Sequence, residues 1–236
     1  MRHKKIIIIS LIFFLIIIIL GSMYLFINNQ NNYNNNIKKQ KYIAQINYID
    51  QELTKIINII DTTEFDNSVL NWDLANVNIS KLYRSWNSII IDFNNININN
   101  KTLTEFGRKL DELSIYIKNK NKDEALLKIS ELYSLLISYT NSIYIEEELK
   151  NDLYTKYYLI KAYSLLNTNN WTLINENIIK AEERYYNNIN LVNNGYNNAF
   201  KKNKVYVSIK ELENTAKIKD KDLFRIKYNI VLENIS

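Results

Sequence analysis

The sequence predicts an all-α protein: an N-terminal transmembrane helix followed by two tandem antiparallel helical-bundle units. Three observations carry this expectation. Residues 6–27 form one near-unbroken apolar run. The rest of the chain shows apolar residues at heptad spacing, with no Pro and only Gly107 and Gly195 to interrupt helices. The pattern then returns in the same phase 99 residues later.

Residues 1–5 read as a cytoplasmic stub carrying Arg2, His3, Lys4 and Lys5. The run that follows, IIIISLIFFLIIIILGSMYLFI, is interrupted only by the uncharged Ser10, Gly21 and Ser22. As a helix it spans roughly 33 Å, against a hydrocarbon core of roughly 30 Å. A cleaved signal peptide fits poorly, because its apolar region is usually about 7 to 15 residues long and ends at a small-x-small site. Ile19-Leu20-Gly21 offers no such site, and without Cys no lipid can be attached through a thioether. Residues 6–27 are therefore expected to be an uncleaved signal-anchor with the bilayer as partner. Positive charge packed against the N-terminal end favours that end in the cytoplasm. Lys38, Lys39 and Lys41 oppose it from the other side. The expected topology is a single-pass plasma-membrane protein with its C-terminal domain extracytoplasmic.

Residues 28–40, rich in Asn, read as a flexible low-complexity tether. Helical unit 1 is assigned to residues 41–143 and unit 2 to residues 144–236. Trp72, Ile79, Trp86 and Phe93 fall seven apart with Ala75, Leu82 and Ile89 between them, an a/d stripe over three heptads. A second stripe runs Leu103, Phe106, Leu110, Leu113, Ile117, and a third Leu126, Ile129, Leu132, Leu136, Tyr139. Helix starts are signalled at Thr102-Leu-Thr-Glu105 and Asn121-Lys-Asp-Glu124. Asn94 to Asn100 reads as a polar loop. Residues 122–166 contain no Pro or Gly and read as one long helix joining the units.

The duplication rests on residues 99 apart. Asn71-Trp72, Leu74, Asn76, Asn78-Ile79 and Lys81 match Asn170-Trp171, Leu173, Asn175, Asn177-Ile178 and Lys180. The first stripe returns as Trp171, Ile178, Tyr185, Val192 and the second as Val205, Ile209, Leu212, Ala216. Lys118, Lys120, Lys122-Asp123 and Lys128 return as Lys217, Lys219, Lys221-Asp222 and Lys227. Asn187 to Asn198 is the counterpart of the Asn94 loop. Biased composition inflates matches at Asn, Ile and Lys, so the Trp pair and the stripe phases carry the argument. Stripes this regular also pair between chains. A homo-oligomer is thus possible, but two units per chain already bury their seams internally, so it is not indicated.

Composition narrows the function classes. The formal charge is +5, but residues 1–49 hold six Lys or Arg and no acid, leaving 24 basic and 25 acidic residues in 50–236. With no basic stripe to neutralise phosphates, nucleic acid is not expected as a partner. Abundant Asn, Ile, Lys and Tyr, with Gly scarce and Pro absent, read as A/T-rich coding and point to a low-G+C bacterium. In an A/T-rich eukaryote, Asn78, Asn100, Asn170 and Asn234 would be glycosylation sequons. The only His is His3 and there is no Cys. The folded part therefore lacks Ser-His and Cys-His nucleophile pairs, His/Cys zinc sites and haem ligands. No phosphate-binding Gly loop is present.

Carboxylates remain. Glu146-Glu147-Glu148 and Glu182-Glu183 are the acidic clusters, able in principle to hydrolyse a glycoside across a cleft or hold Ca²⁺. The simpler reading is a solvated helix face. Tyr154, Tyr157, Tyr158 and Tyr163 are expected to fill the core between the units, and Trp72 and Trp171 to anchor helix starts. No catalytic, cofactor-binding or metal residue is assigned, and the chain is expected not to be an enzyme. The leading expectation is a binding or scaffolding module of the cell envelope with a protein partner there. A ligand-sensing bundle acting with a membrane partner is the alternative, and a carboxylate-dependent envelope hydrolase comes third.

Trp72, Trp86 and the stretch Lys120-Asn-Lys-Asp-Glu-Ala-Leu126 give residues 40–140 a likeness to a known pattern. It resembles a family of small, uncharacterised Firmicute membrane proteins, with an N-terminal anchor and Trp-containing amphipathic helices. The second unit departs from it at Tyr185, which takes the place of the second Trp, and at Phe224, where the first unit has Ala125. The resemblance implies architecture and location, and no catalytic residue.

Overall fold

The computed structural model describes the backbone of residues 2–62, 69–95, 98–143, 145–190 and 196–235. Side chains are described for residues 20–30, 36–61, 71–95, 98–143, 145–190 and 199–235. Among these there are eight α-helices, one 3-10 turn and no strand. The chain divides into two compact units, residues 1–43 and residues 44–236. The expected boundary at 143/144 falls within the second of them.

Helix α1 runs from Arg2 to Thr62. It continues through 28–40, where an irregular tether was expected. Asn is less favourable than Ala by only about 0.7 kcal/mol in a helix, whereas the Pro that would end it costs about 3. Among the described residues no helix is long and apolar enough to cross a membrane. Of the apolar run, residues 6–19 lie outside those whose side chains are described. The described part, Leu20 to Ile27, leaves Met23, Tyr24, Leu25, Phe26 and Ile27 exposed.

In the 44–236 unit the helices are α2 (Val69–Asn94), α3 (Asn100–Lys118), α4 (Lys122–Ile143), α5 (Glu147–Ser164), α6 (Trp171–Asn190), α7 (Tyr196–Ile218) and α8 (Lys221–Ile235). A 3-10 turn, Leu166–Thr168, links α5 to α6. The first three stripes read from the sequence are buried throughout. Their centre is aromatic: Trp86 stacks on Phe106 at 4.1 Å and meets Phe93 edge-on at 6.3 Å, beside Tyr139. In the repeated stripe Ile178 and Tyr185 are buried, Trp171 is half-buried against Phe224, and Val192 lies outside the described residues. Val205, Ile209, Leu212 and Ala216 are all buried.

The helix ends correct the sequence reading in two places. Helix α3 starts at Asn100, not at Thr102, because the Asn99 side chain accepts from the Lys101 N–H at 2.9 Å and caps it. The single helix expected over 122–166 is broken at Ile145 and Glu146. Glu146 is extended (ψ 137°), and Ile145 is buried at the turn. The break reverses the chain so that α5 lies back against α4, hiding Leu153, Leu159 and Ile160. A straight helix would leave these in water, at roughly 1.5–3 kcal/mol each.

Several features recur 99 residues apart. Lys120 and Lys219 both adopt the left-handed region, at φ 56° and 64°. Asn121 and Asp220 each cap the next helix, accepting from the N–H of Glu124 at 3.3 Å and of Leu223 at 3.0 Å. Asn78 and Asn177 each donate back to the carbonyl four residues earlier. Glu112 pairs with Lys128 at 2.9 Å and Glu211 with Lys227 at 2.6 Å.

Candidate functional site

A cavity of about 350 Å³ forms a groove between the 47–54 stretch of α1 and the first half of α5, with Ile235 of α8 at its edge. Helical spacing sets its walls. Asn47, Asp50, Gln51 and Thr54 share one face of α1, and Leu149, Asp152, Leu153 and Lys156 share one face of α5.

Charges crossing the groove tie the two helices together. Lys156 is 5% exposed, and its Nζ donates to both oxygens of Asp50, at 2.8 and 3.0 Å. The buried Tyr133 hydroxyl, from α4, donates to Asp50 Oδ1 at 2.7 Å and lies 3.2 Å from Thr54 Oγ1. Burial pushes the Tyr133 hydroxyl well above the usual tyrosine range, with the Asp50 charge adding to the shift. The hydroxyl therefore stays protonated and donating.

Asp152 sits differently. It accepts a 2.5 Å hydrogen bond from Asn188 Nδ2 of α6, which also donates to the Glu148 carbonyl at 3.1 Å. Burial raises its carboxyl from an ordinary 3.8 to about 6, with Lys156 opposing the shift and Glu148 adding to it. Glu148 itself pairs with Lys202 of α7 at 2.5 Å. Asn188 Oδ1 is buried without a partner among the described residues. At the rim, Lys55 is paired with Glu52 at 2.6 Å.

A second buried cluster closes the bundle beyond the groove. Asp61 accepts from Lys122 Nζ at 2.7 Å and from the Tyr163 hydroxyl, while Tyr163 stacks on Tyr228 at 4.1 Å. These contacts join α1, α4, α5 and α8.

Glu146, Glu147 and Glu148 are not mid-helix; they open α5, where negative charge complements the helix dipole. Glu182 pairs with Lys210 at 2.7 Å and accepts from the Tyr206 hydroxyl at 2.9 Å, while Glu183 is exposed. The two clusters do not share the groove. Of the four tyrosines expected in the core, only Tyr163 is buried; Tyr154, Tyr157 and Tyr158 are half-exposed. They stand one helical step away from the buried row, and Arg184, Lys161 and Lys180 lie over their rings at 4.1, 5.5 and 6.0 Å. Among the described residues no three His, Cys, Asp or Glu side chains converge as a metal site.

Asp50, Asp152 and Lys156 were missed. They occupy the apolar phase of their helices: Asp50 falls between Ile46, Ile49 and Leu53, and Lys156 between Leu153 and Ile160. A charge on the buried face was the available signal. In searches against protein-family models, curated proteins and solved structures, the chain matches none.

Proposed function

We propose that this chain is a single-pass membrane protein whose helical bundle, built by tandem duplication, binds a ligand or partner outside the cytoplasm without catalysis. The observation that carries the binding reading is the groove: a cavity of about 350 Å³ where polar and charged side chains meet Leu149, Leu153 and Ile235, within the roughly 300–1,000 Å³ of small-molecule sites. The anchor is supported by the charge-free run at 6–27 and by the exposed Met23, Leu25, Phe26 and Ile27, an apolar surface suited to lipid. The duplication is supported by the paired turns, caps and ion pairs 99 residues apart. The resemblance to anchored Firmicute proteins fits the same location.

The hydrolase reading has one observation in its favour, a raised carboxyl at Asp152 in the same groove as Asp50. Glycoside hydrolysis needs a second carboxylate free to act as base or nucleophile. Asp50 is held by Lys156 and Tyr133, which argues for binding instead.

Membrane fractionation of cells making the full chain tests the anchor. Alkaline carbonate is expected to leave the protein in the membrane pellet, and deletion of residues 2–27 to release it. Release of the full chain by carbonate contradicts the anchor.

A further inference from the structure

Two acids, Asp50 and Asp152, and two lysines, Lys55 and Lys156, line the groove, but Glu52 from outside the lining takes one of the lysines. Lys156 is committed to Asp50, and Lys55 to Glu52. Lys202, behind the wall, is committed to Glu148. Asp152 lines the cavity with an amide as its hydrogen-bond partner and no ion pair among the described residues. One negative charge is thus left over at the wall, in partly buried surroundings where a Coulomb partner counts for more than in water. Leu149, Leu153 and Ile235 supply apolar surface beside it.

We propose that the groove binds a ligand through a protonated amine seated against Asp152, with the ligand's alkyl part against Leu149, Leu153 and Ile235. The inference rests on the binding reading above. It names the class of ligand. A divalent metal fits less well: it would want several carboxylates, and Lys156 already occupies Asp50. An anion would meet Asp152 with both nearby lysines already paired. A single ammonium supplies the missing charge and three donors. It also stabilises the ionised form of Asp152, which burial disfavours. The charged and titratable groups facing Asp152 are Lys156 and Glu148 from its own helix, Asp50 from α1, Tyr185 from α6 and Lys202 from α7.

The test is calorimetric titration of the full chain in nanodiscs at pH 7.5 with n-butylammonium, n-butanol and butyrate, using empty nanodiscs as blank. The expected result is binding of n-butylammonium at least tenfold tighter than of the other two. Asp152→Asn should weaken it at least tenfold while circular dichroism stays that of the parent. Lowering the pH to 5 should weaken it about tenfold, as Asp152 takes up its proton. Leu149→Trp, which fills the groove, should abolish binding of every probe.

Equal binding of the amine by Asp152→Asn overturns the proposal. If n-butanol or butyrate binds as tightly as the amine, and Leu149→Trp abolishes it, the groove is a ligand site but the cation assignment fails. If no probe binds, the groove is no ligand site and the binding reading that rests on it fails as well.

Discussion

Asp152→Asn is expected to make the protein more stable at neutral pH. The carboxyl titrates at about 6 in the folded protein, against an ordinary 3.8 in the unfolded chain, because burial disfavours its charge. Between these values the folded state holds more protons than the unfolded state, so this group's contribution to stability falls as the pH rises through the window. Below about 4 the carboxyl is protonated in both states and costs nothing. Above about 6 it is ionised in both, and the full cost of the buried charge is present. A difference of this size corresponds to about 3 kcal/mol. Asn keeps the size and an oxygen that can accept from Asn188 Nδ2, so this hydrogen bond survives the change. The assay is urea unfolding of parent and variant in detergent, followed by far-UV circular dichroism from pH 3.5 to 7.5. The difference between the two curves isolates Asp152 from the other carboxylates. The variant should match the parent near pH 3.5 and exceed it by on the order of 2–3 kcal/mol at pH 7. A variant less stable than the parent at pH 7, or a difference independent of pH, would mean that burial does not penalise the Asp152 charge.

Three further outcomes are expected. Asp50→Asn or Lys156→Met alone should destabilise by about 2–4 kcal/mol, each leaving a buried charge without its partner, and the double variant should recover part of the loss; a strictly additive double variant counts against a coupled pair. Trp86→Ala removes the ring stacked on Phe106 beside Tyr139, so chemical denaturation should show a loss of about 3–5 kcal/mol. Lys120→Gly and Lys219→Gly relieve left-handed backbone and should each raise stability by up to about 1 kcal/mol; a loss at both positions would mean that the lysine side chains matter more than the φ angles.

The sequence was legible where periodicity carried the information. Trp72 to Phe93, Leu103 to Ile117 and Leu126 to Tyr139 repeat every three or four residues, and all the stripe positions are buried. It was less legible where tertiary packing overrode local preference. No Pro or Gly marks the break at Ile145 and Glu146; it exists because α5 must fold back on α4 to bury Leu153, Leu159 and Ile160. The Asn-rich stretch at 28–40 looked like a linker by composition, yet Asn is only a mild helix breaker and α1 runs through it. The groove was hidden for a third reason. Pattern reading assigns charges to water, so the acidic runs Glu146–Glu148 and Glu182–Glu183 drew attention. The charges that shape the cavity are single residues set among apolar ones.

The proposed topology holds the bundle by the 6–27 anchor on the outer side of the membrane. Cysteine labelling tests it directly in a chain that has no cysteine. Ser114 is half-buried and Asn214 is exposed, which makes Asn214 the better position, with Ser114 as a second. Ser208, in α7, is 7% exposed and unsuitable. Intact cells carrying Asn214→Cys are treated with a membrane-impermeant maleimide. Labelling before lysis is predicted. Labelling only after lysis, in folded and reactive protein, would contradict this topology and place the bundle on the cytoplasmic side.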